Sequence, residues 1–514
     1  MRRSLITIAL LALIISIGSC RKDFEYSPSN GNLEFSRDTV FLDTVFTNIG
    51  SSTYSLKVYN RSKEDISIPF VGLQQGETSS YRLNVDGVAG KTFSDIPLMA
   101  KDSLYIFIET TVNIQEENTD QFLYTDVLQF GQGNNSQQIP LVTLVQDAIF
   151  LFPDNNPDGQ KESVVIGTDA NGDEVLTPGF QLNNDQLQFT NEKPYVIYGF
   201  ALVPKERQLI IDAGARVYFH ENSGIYVAPE ASITINGALS ADKKLLENEV
   251  IFEGDRLEPE YEDVAGQWEG IRIAAGSIDN IINHLTLKNA TIGIFAQGES
   301  PLSPPTLTFQ NSQIYNSSKI NLWGKTAVIS GANLVLGSAG NSSLYCNLGG
   351  SYSFIHTTIA NYWTESYRPN AALTINNFDS GNLNGSIGMD LLKADFKNCI
   401  IDGNGNFEIS HGSNGSNTYN FLFSSCLITA NLDNIPSDND GIYNFEDDSQ
   451  YKNNILNGRS AFESTSKNDY RLMPNSEALN AGNKTDALAV PLDILGKNRK
   501  ETPDLGAYEL SATD

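Results

Sequence analysis

The chain has 514 residues, with 62 acidic against 34 basic side chains and a formal net charge of −28. Such a charge repels nucleic acid and anionic lipid, and no basic cluster offsets it, so nucleic-acid binding is excluded. The length allows more than one domain, and abundant Asn, Ser and Gly with almost no Ala/Glu/Lys-rich runs describe a turn-rich β protein.

The chain opens Met1-Arg2-Arg3-Ser4, continues as an apolar run from Leu5 to Ile17, and reaches Gly18-Ser19-Cys20. A basic start, a short apolar stretch and small residues before a cut site describe a secretory signal over residues 1–19. The run is shorter than the roughly 20 residues a spanning helix needs. Ile17-Gly18-Ser19-Cys20 resembles the lipobox of bacterial lipoproteins, which implies that Cys20 becomes the new N-terminus and carries the lipid. Several acyl chains give stable anchoring where one is marginal. The next residues, Arg21-Lys22-Asp23-Phe24-Glu25, resemble the short charged export signal of Bacteroidota-type lipoproteins. That resemblance implies an outer-membrane protein facing the cell exterior, with residues 20–32 as its tether. The other three cysteines, Cys346, Cys399 and Cys426, are odd in number and widely spaced, so they form neither a disulfide framework nor a zinc site.

Residues 33–147 read as seven or eight short strands. Tyr54–Asn60, Tyr81–Val85 and Leu104–Ile108 alternate apolar and polar residues, Asp86-Gly87 supplies a turn, and Val127–Phe130 and Ile139–Leu144 complete the set. This pattern predicts an antiparallel β-sandwich. Asp43–Thr47 with Lys57–Asn60 resembles the Ig-like domains of the abnormal-spindle/Hydin class, which implies a spacer or docking module.

The period then changes. The apolar pairs Leu209/Ile211, Val217/Phe219, Ile225/Val227 and Ile233/Ile235 recur every eight residues, with turns between them. Three short strands in about 24 residues is the signature of a solenoid coil. Six later segments share a column pattern: Leu287–Ile292, Phe309–Ile314, Ile329–Leu334, Phe354–Ile359, Phe396–Ile401 and Phe423–Ile428. Each starts large and apolar and ends in Ile or Leu, with a small fourth residue (Ala290, Ser312, Ala332, Thr357, Cys399, Cys426) and Asn third in Asn289, Asn311 and Asn398. Stacked parallel strands lie about 4.8 Å apart, so such columns become ladders, and Asn suits a sharp bend whose amides bond along the axis. His356 falls in the Asn column and reads as structural. The arrangement resembles right-handed parallel β-helices of the pectate-lyase-like class. The expected architecture is thus all-β: an Ig-like sandwich followed by a right-handed parallel β-helix over residues 148–468, with clear coils from 208.

Three C-terminal stretches, Asn475–Asn483, Asp493–Arg499 and Pro503–Glu509, resemble the closing segment of many secreted bacterial β-helix proteins. Residues 469–514 are read as a cap over the last coil, within which Arg499 and Asp504 are placed to pair.

Candidate sites are few. Asp169, Asn171 and Asp173 place oxygen ligands at alternate positions about Gly172, as suits Ca²⁺, but the full twelve-residue loop with its terminal Glu is lacking and a polar hairpin turn is the preferred reading. Calcium is the one cofactor the sequence points to. The loop containing Asp255, Glu258 and Glu260 offers clustered carboxylates for acid–base chemistry on a sugar, against a solvated charge run. Trp268, in Gly266-Gln-Trp-Glu-Gly270, offers a sugar-stacking ring or a side chain packed at a coil corner. The outward strand positions read mostly as Thr, Ser, Asn and Gln, with Lys and Arg sparse. The preferred function is therefore non-catalytic binding of polysaccharide or a surface protein, with membrane attachment through lipid; the alternative is a polysaccharide lyase or glycoside hydrolase.

Overall fold

The computed structural model describes residues 26–510 except 114–120, 157, 169–171, 243–244, 380–386, 435–440 and 500. Cys20, Asp169 and Asn171 lie outside the described residues. The chain divides into two compact units at Asp147/Ala148.

The first unit is a two-sheet β-sandwich. One sheet orders Glu34–Phe35, Tyr54–Tyr59, Ser103–Thr110, Tyr81–Val85 and Val88–Gly90; the other runs from Ser27–Pro28 through Ile66–Leu73, Gln121–Phe130 and Gln137–Gln146 to Val40–Phe46, with Thr92–Leu98 beside Ile66–Leu73. Alternation sends Leu56, Val58, Ile106, Ile108 and Leu83 into a core with Ile68, Val71, Leu128 and Leu141. Val85 pairs with Val88 across Asp86-Gly87, both with positive φ, as a two-residue hairpin turn requires. On the outer side of the first sheet Tyr105 and Phe107 stack at 6.2 Å and are 48% and 44% exposed.

The second unit is a right-handed parallel β-helix with three faces. The chain passes from first to second to third face and on to the next coil, for example along Gln208–Asp212, Arg216–Phe219 and Gly224–Val227. The pairs Leu209/Ile211, Val217/Phe219, Ile225/Val227 and Ile233/Ile235 all point inward and are solvent-free. Further along, Phe354, Phe396, Phe423 and Tyr451 stack as an internal column with centroids 5.5, 4.9 and 5.5 Å apart. Cys346, Cys399 and Cys426 are buried free thiols. Burial, with the neighbouring Cys399, pushes the Cys426 thiol well up, so it packs as a small hydrophobe.

A single left-handed residue makes the bend between first and second faces: His284, Asn311, Asn333, His356, Asn398 and Ser425. Amides bond from rung to rung there, Asn311 Nδ2 to Asn283 Oδ1 at 2.8 Å and Asn333 Nδ2 to Asn311 Oδ1 at 2.9 Å. Asn398 Nδ2 lies 3.1 Å from His356 Nε2, and burial, with Arg499 nearby, holds that imidazole neutral. Two of the six sequence segments are out of register. Leu287 pairs with Ile314, so Asn289 belongs to the next bend, between second and third faces, where Asn316 Nδ2 donates to its Oδ1 at 2.6 Å. Phe309 pairs with Gly331, which shifts the third segment by two residues; a Cβ on Gly331 would run into the Phe354 ring.

The closing segment does not lie over the last coil alone. It runs along the outside of the second face, on outward residues that are themselves apolar: Val335, Ala360, Ile400 and Leu427 join Tyr470, Leu472, Ile494, Leu505 and Tyr508 in one core. Gly506 N donates to Asn398 O at 2.8 Å and Ala507 N to Thr358 Oγ1 at 3.0 Å. A strand that is apolar on both sides needs such a cover. Arg499 is solvent-free and pairs with Glu509 at 2.6 Å rather than with Asp504, whose carboxylate accepts from Asn480 N and Leu510 N.

Candidate functional site

The acidic loop leaves the C-terminal end of the second-face strand Val250–Gly254. Two of its carboxylates are individually occupied. Asp255 Oδ2 lies 2.8 Å from His220 Nδ1, and that hydrogen bond raises the imidazole pKa. Glu258 pairs with Arg256 at 3.1 Å, and the Arg256 guanidinium rests 3.8 Å from the Tyr261 ring centroid. Glu260 is exposed on a short 3-10 turn, Pro259–Tyr261. Trp268 is not a stacking surface: it is 1% exposed, lies flat on Phe219 at 4.0 Å, and donates its indole N–H to Lys288 O at 3.0 Å. Asp173 is exposed beside the hairpin strand Glu174–Gln181. Among the described residues no three His, Cys, Asp or Glu side chains converge as around a metal.

The loop's first carboxylate is Glu253. Glu253 stands on the outside of the second face, in one row with Tyr218, Lys288 and Tyr315. Its Oε2 is 2.7 Å from Lys288 Nζ. Burial alone would lower the Lys288 pKa, but Glu253, Tyr315 and Glu262 hold it above the ordinary lysine value. Burial, then Glu253, pushes the Tyr218 phenol up to about 12. The row lies between the roots of two loops that are pinned from below. Arg216 donates to Leu246 O and Glu249 O at 2.6 Å each, while Asn289 and Asn316 donate to Glu262 O and Asp263 O at 2.7 and 2.6 Å. The acidic loop thus borders the outward row of the second face.

The third face carries a different row. Its outward positions in register are Tyr226, Arg272, Phe295, Trp323 and Tyr345. These are not the small polar residues expected outside the coils. Phe295 and Trp323 lie 4.7 Å apart at 49°, and Trp323 and Tyr345 5.6 Å apart at 24°. The rings lean on one another, so the row offers edges and partial faces. Beside it run Gln297, Lys325 and Asn347, also in register. Arg272 pairs with Glu269 at 3.3 Å and Lys325 with Asp379 at 3.5 Å. A cleft of about 680 Å³ opens over the first part of this row, at Tyr226, Arg272 and Phe295, is lined also by Gln297, Lys325 and Asp379, and is walled by Ile166 and Val175 of the hairpin; Trp323 and Tyr345 are not in its lining. The sequence signal is the central residue of Ile292–Gln297, Ile320–Lys325 and Ser342–Asn347, aromatic each time, which becomes legible once alternation fixes which side faces out.

No family model matches the sequence, and no curated protein matches it. Among solved structures, a PapD-like domain of human CEP192 is 10% identical, covering 26% of this chain and 94% of its own, with a TM-score of 0.16. The major pilin subunit BcpA of Bacillus cereus is 13% identical over 28% of this chain and 52% of its own, TM-score 0.16. The catalytic unit of a GH87 α-1,3-glucanase from Streptomyces thermodiastaticus is 10% identical over 72% of this chain and 79% of its own, TM-score 0.26. None is near enough to transfer an activity.

Proposed function

We propose that this chain is a lipid-anchored outer-membrane protein, attached through Cys20 and facing the cell exterior, whose β-helix binds glycan along its third face without turning it over. The aromatic row Phe295–Trp323–Tyr345 beside the cleft carries this reading. Aromatic walls with a few placed polar groups are what small polar ligands bind to, and 680 Å³ lies within the usual size of such sites. The pairing of Asp255, Glu258 and Glu253 with cations weighs against a free acid–base pair. The row Tyr218–Glu253–Lys288–Tyr315 is the one feature that favours a lyase or hydrolase instead, since it brings phenol, amine and carboxylate together.

Affinity electrophoresis through gels containing polysaccharide, beside assays for unsaturated products and new reducing ends, tests the binding half. Retardation without product is expected. Turnover abolished by Lys288→Ala or Glu253→Gln overturns it in favour of the enzyme. For the anchor, Cys20→Ala should release the protein from the membrane fraction and abolish fatty-acid labelling; equal labelling of variant and parent would refute the anchor.

A further inference from the structure

Resting on the glycan reading, we infer that the third-face cleft recognises an N-acetylated sugar residue of a neutral glycan, through its acetamido group.

The lining divides into two halves. One is apolar, with Ile166 and Val175 on the hairpin and Ala274 and Phe295 on the floor. Ile166 and Ala274 pack on one small core, Val164, Phe200 and Tyr226, which fixes the wall to the floor. The other half is polar: Arg272, Gln297 and the phenol of Tyr226. A plain hexose offers hydroxyls on every side, and hydroxyls pressed against Ile, Val and Ala lose water without gaining a partner. An acetamido group carries a methyl for such a wall and a carbonyl and N–H for the polar side.

Register sets the spacing. Arg272 pairs with Phe295, one rung or about 4.8 Å away, and Gln297 follows Phe295 by two residues on the same side of its strand, about 6.6 Å along. A sugar seated on Phe295 therefore has a guanidinium on one flank and a side-chain amide on the other. The Arg272 guanidinium gives one N–H to Glu269 at 3.3 Å and hydrogen-bonds no other described residue. The Gln297 amide hydrogen-bonds none, and it presents both a donor and an acceptor, as an acetamido group requires.

Neutrality follows from the ion pairs. Both cations of the lining already face carboxylates, Arg272 with Glu269 and Lys325 with Asp379. A uronate would compete with Glu269 and Asp379 for the same cations, in a chain of net charge −28. A carbonyl takes a spare N–H and leaves both pairs intact.

A separate observation points to a ligand. Tyr226 is only 8% exposed and lines the cleft, and its phenol hydrogen-bonds no described residue. The phenol oxygen is not sealed from solvent, so a ligand entering the cleft can reach it. Other buried phenols are bonded within the protein: Tyr81 OH with Thr143 Oγ1 at 2.9 Å, and Tyr352 OH with Gly324 O and Gly349 O at 3.0 Å each. Burial raises the Tyr226 pKa, so the group stays an O–H donor at neutral pH. A sugar oxygen supplies the partner that the protein does not.

The experiment is isothermal titration of the full-length protein in detergent with soluble oligosaccharides: the N-acetylglucosamine tetramer and an N-acetylgalactosamine glycan; the de-N-acetylated tetramer; cellotetraose; and tetragalacturonate. An N-acetylated member should bind, with an affinity unchanged from low to molar salt. Cellotetraose and the two charged tetramers should bind at least about tenfold more weakly. Tyr226→Phe, which keeps the ring and removes the donor, should weaken binding about fivefold, and Val175→Asp, which sets a charge against the methyl, about tenfold or more. Thermal melts establish that both variants fold. Cellotetraose or tetragalacturonate bound as tightly as the N-acetylated members, and weakened by Tyr226→Phe, overturns the acetamido assignment and leaves glycan binding intact. N-acetylated binding indifferent to both variants overturns the site. Silence across the panel overturns the inference; retardation of the same preparation in the polysaccharide gels then leaves the glycan reading standing, and no retardation overturns that reading as well.

Discussion

At the scale of single residues, the fold places charge where water cannot reach it. Arg499 is solvent-free, donates to Glu509 and Asn333, and so ties the closing segment to the Asn bend of a coil. Burial outweighs Arg499 at Glu509 and lifts its pKa from 4.5 to about 7. A carboxyl raised on folding takes up protons in the native state between those values, so its contribution to stability is complete below pH 4.5 and is lost as the pH climbs to about 7. His356 acts with the opposite sign: burial, then Arg499, depresses its pKa well below 6.5, so stability falls as the unfolded imidazole protonates under that pH. The difference between parent and Glu509→Gln isolates the first effect. Denaturation midpoints of the parent, relative to the variant, should decline from pH 4.5 to 7; a constant difference would show that Glu509 titrates normally.

At the scale of elements, the ladders carry the fold. Ile401 and Ile428 are fully buried and sit one rung apart on the inner side of the second face. Ile401→Asp or Ile428→Asp puts an unpartnered charge among aliphatic neighbours and should cost at least about 3 kcal/mol. Lys397 points outward, 3.5 Å from Asp486, and Lys397→Ala should stay within about 0.5 kcal/mol. Equal losses in urea titrations would place the register wrongly. Much of this architecture was legible in the sequence because inward residues repeat rigidly: Leu209/Ile211 and its successors announce the coil by spacing alone. The column of bends was less legible. Asn occupies two different bends, at Asn289 and at Asn311, and Gly331 stands where its neighbours have Phe because the Phe354 ring needs the room. The lateral course of the closing segment was hidden too. Its signal is that Val335, Ile400 and Leu427 are apolar on the outward side, which means nothing until the inward side is known.

The same dependence governs the candidate site at the scale of the whole molecule. A tryptophan's type does not say which side of a coil it faces. Trp268, beside a conspicuous Gly motif, turned inward onto Phe219, while Trp323 in a plain strand stands outside between two aromatic rungs. The acidic loop drew notice by composition, yet three of its carboxylates, Asp255, Glu258 and Glu253, are each held by a partner, His220, Arg256 and Lys288 in turn. Among the described residues, three aromatic surfaces can be compared as places for a ligand: the third-face row, the largely buried second-face row of Tyr218 and Tyr315, and the exposed pair Tyr105/Phe107 of the first unit. Hydroxyl-radical footprinting of the full-length protein, with and without a bound polysaccharide, reads all three together because each carries reactive aromatic side chains. The account predicts protection at Phe295, Trp323 and Tyr345 with the other two surfaces unchanged; protection confined to Tyr218 and Tyr315, or to Tyr105 and Phe107, would contradict it.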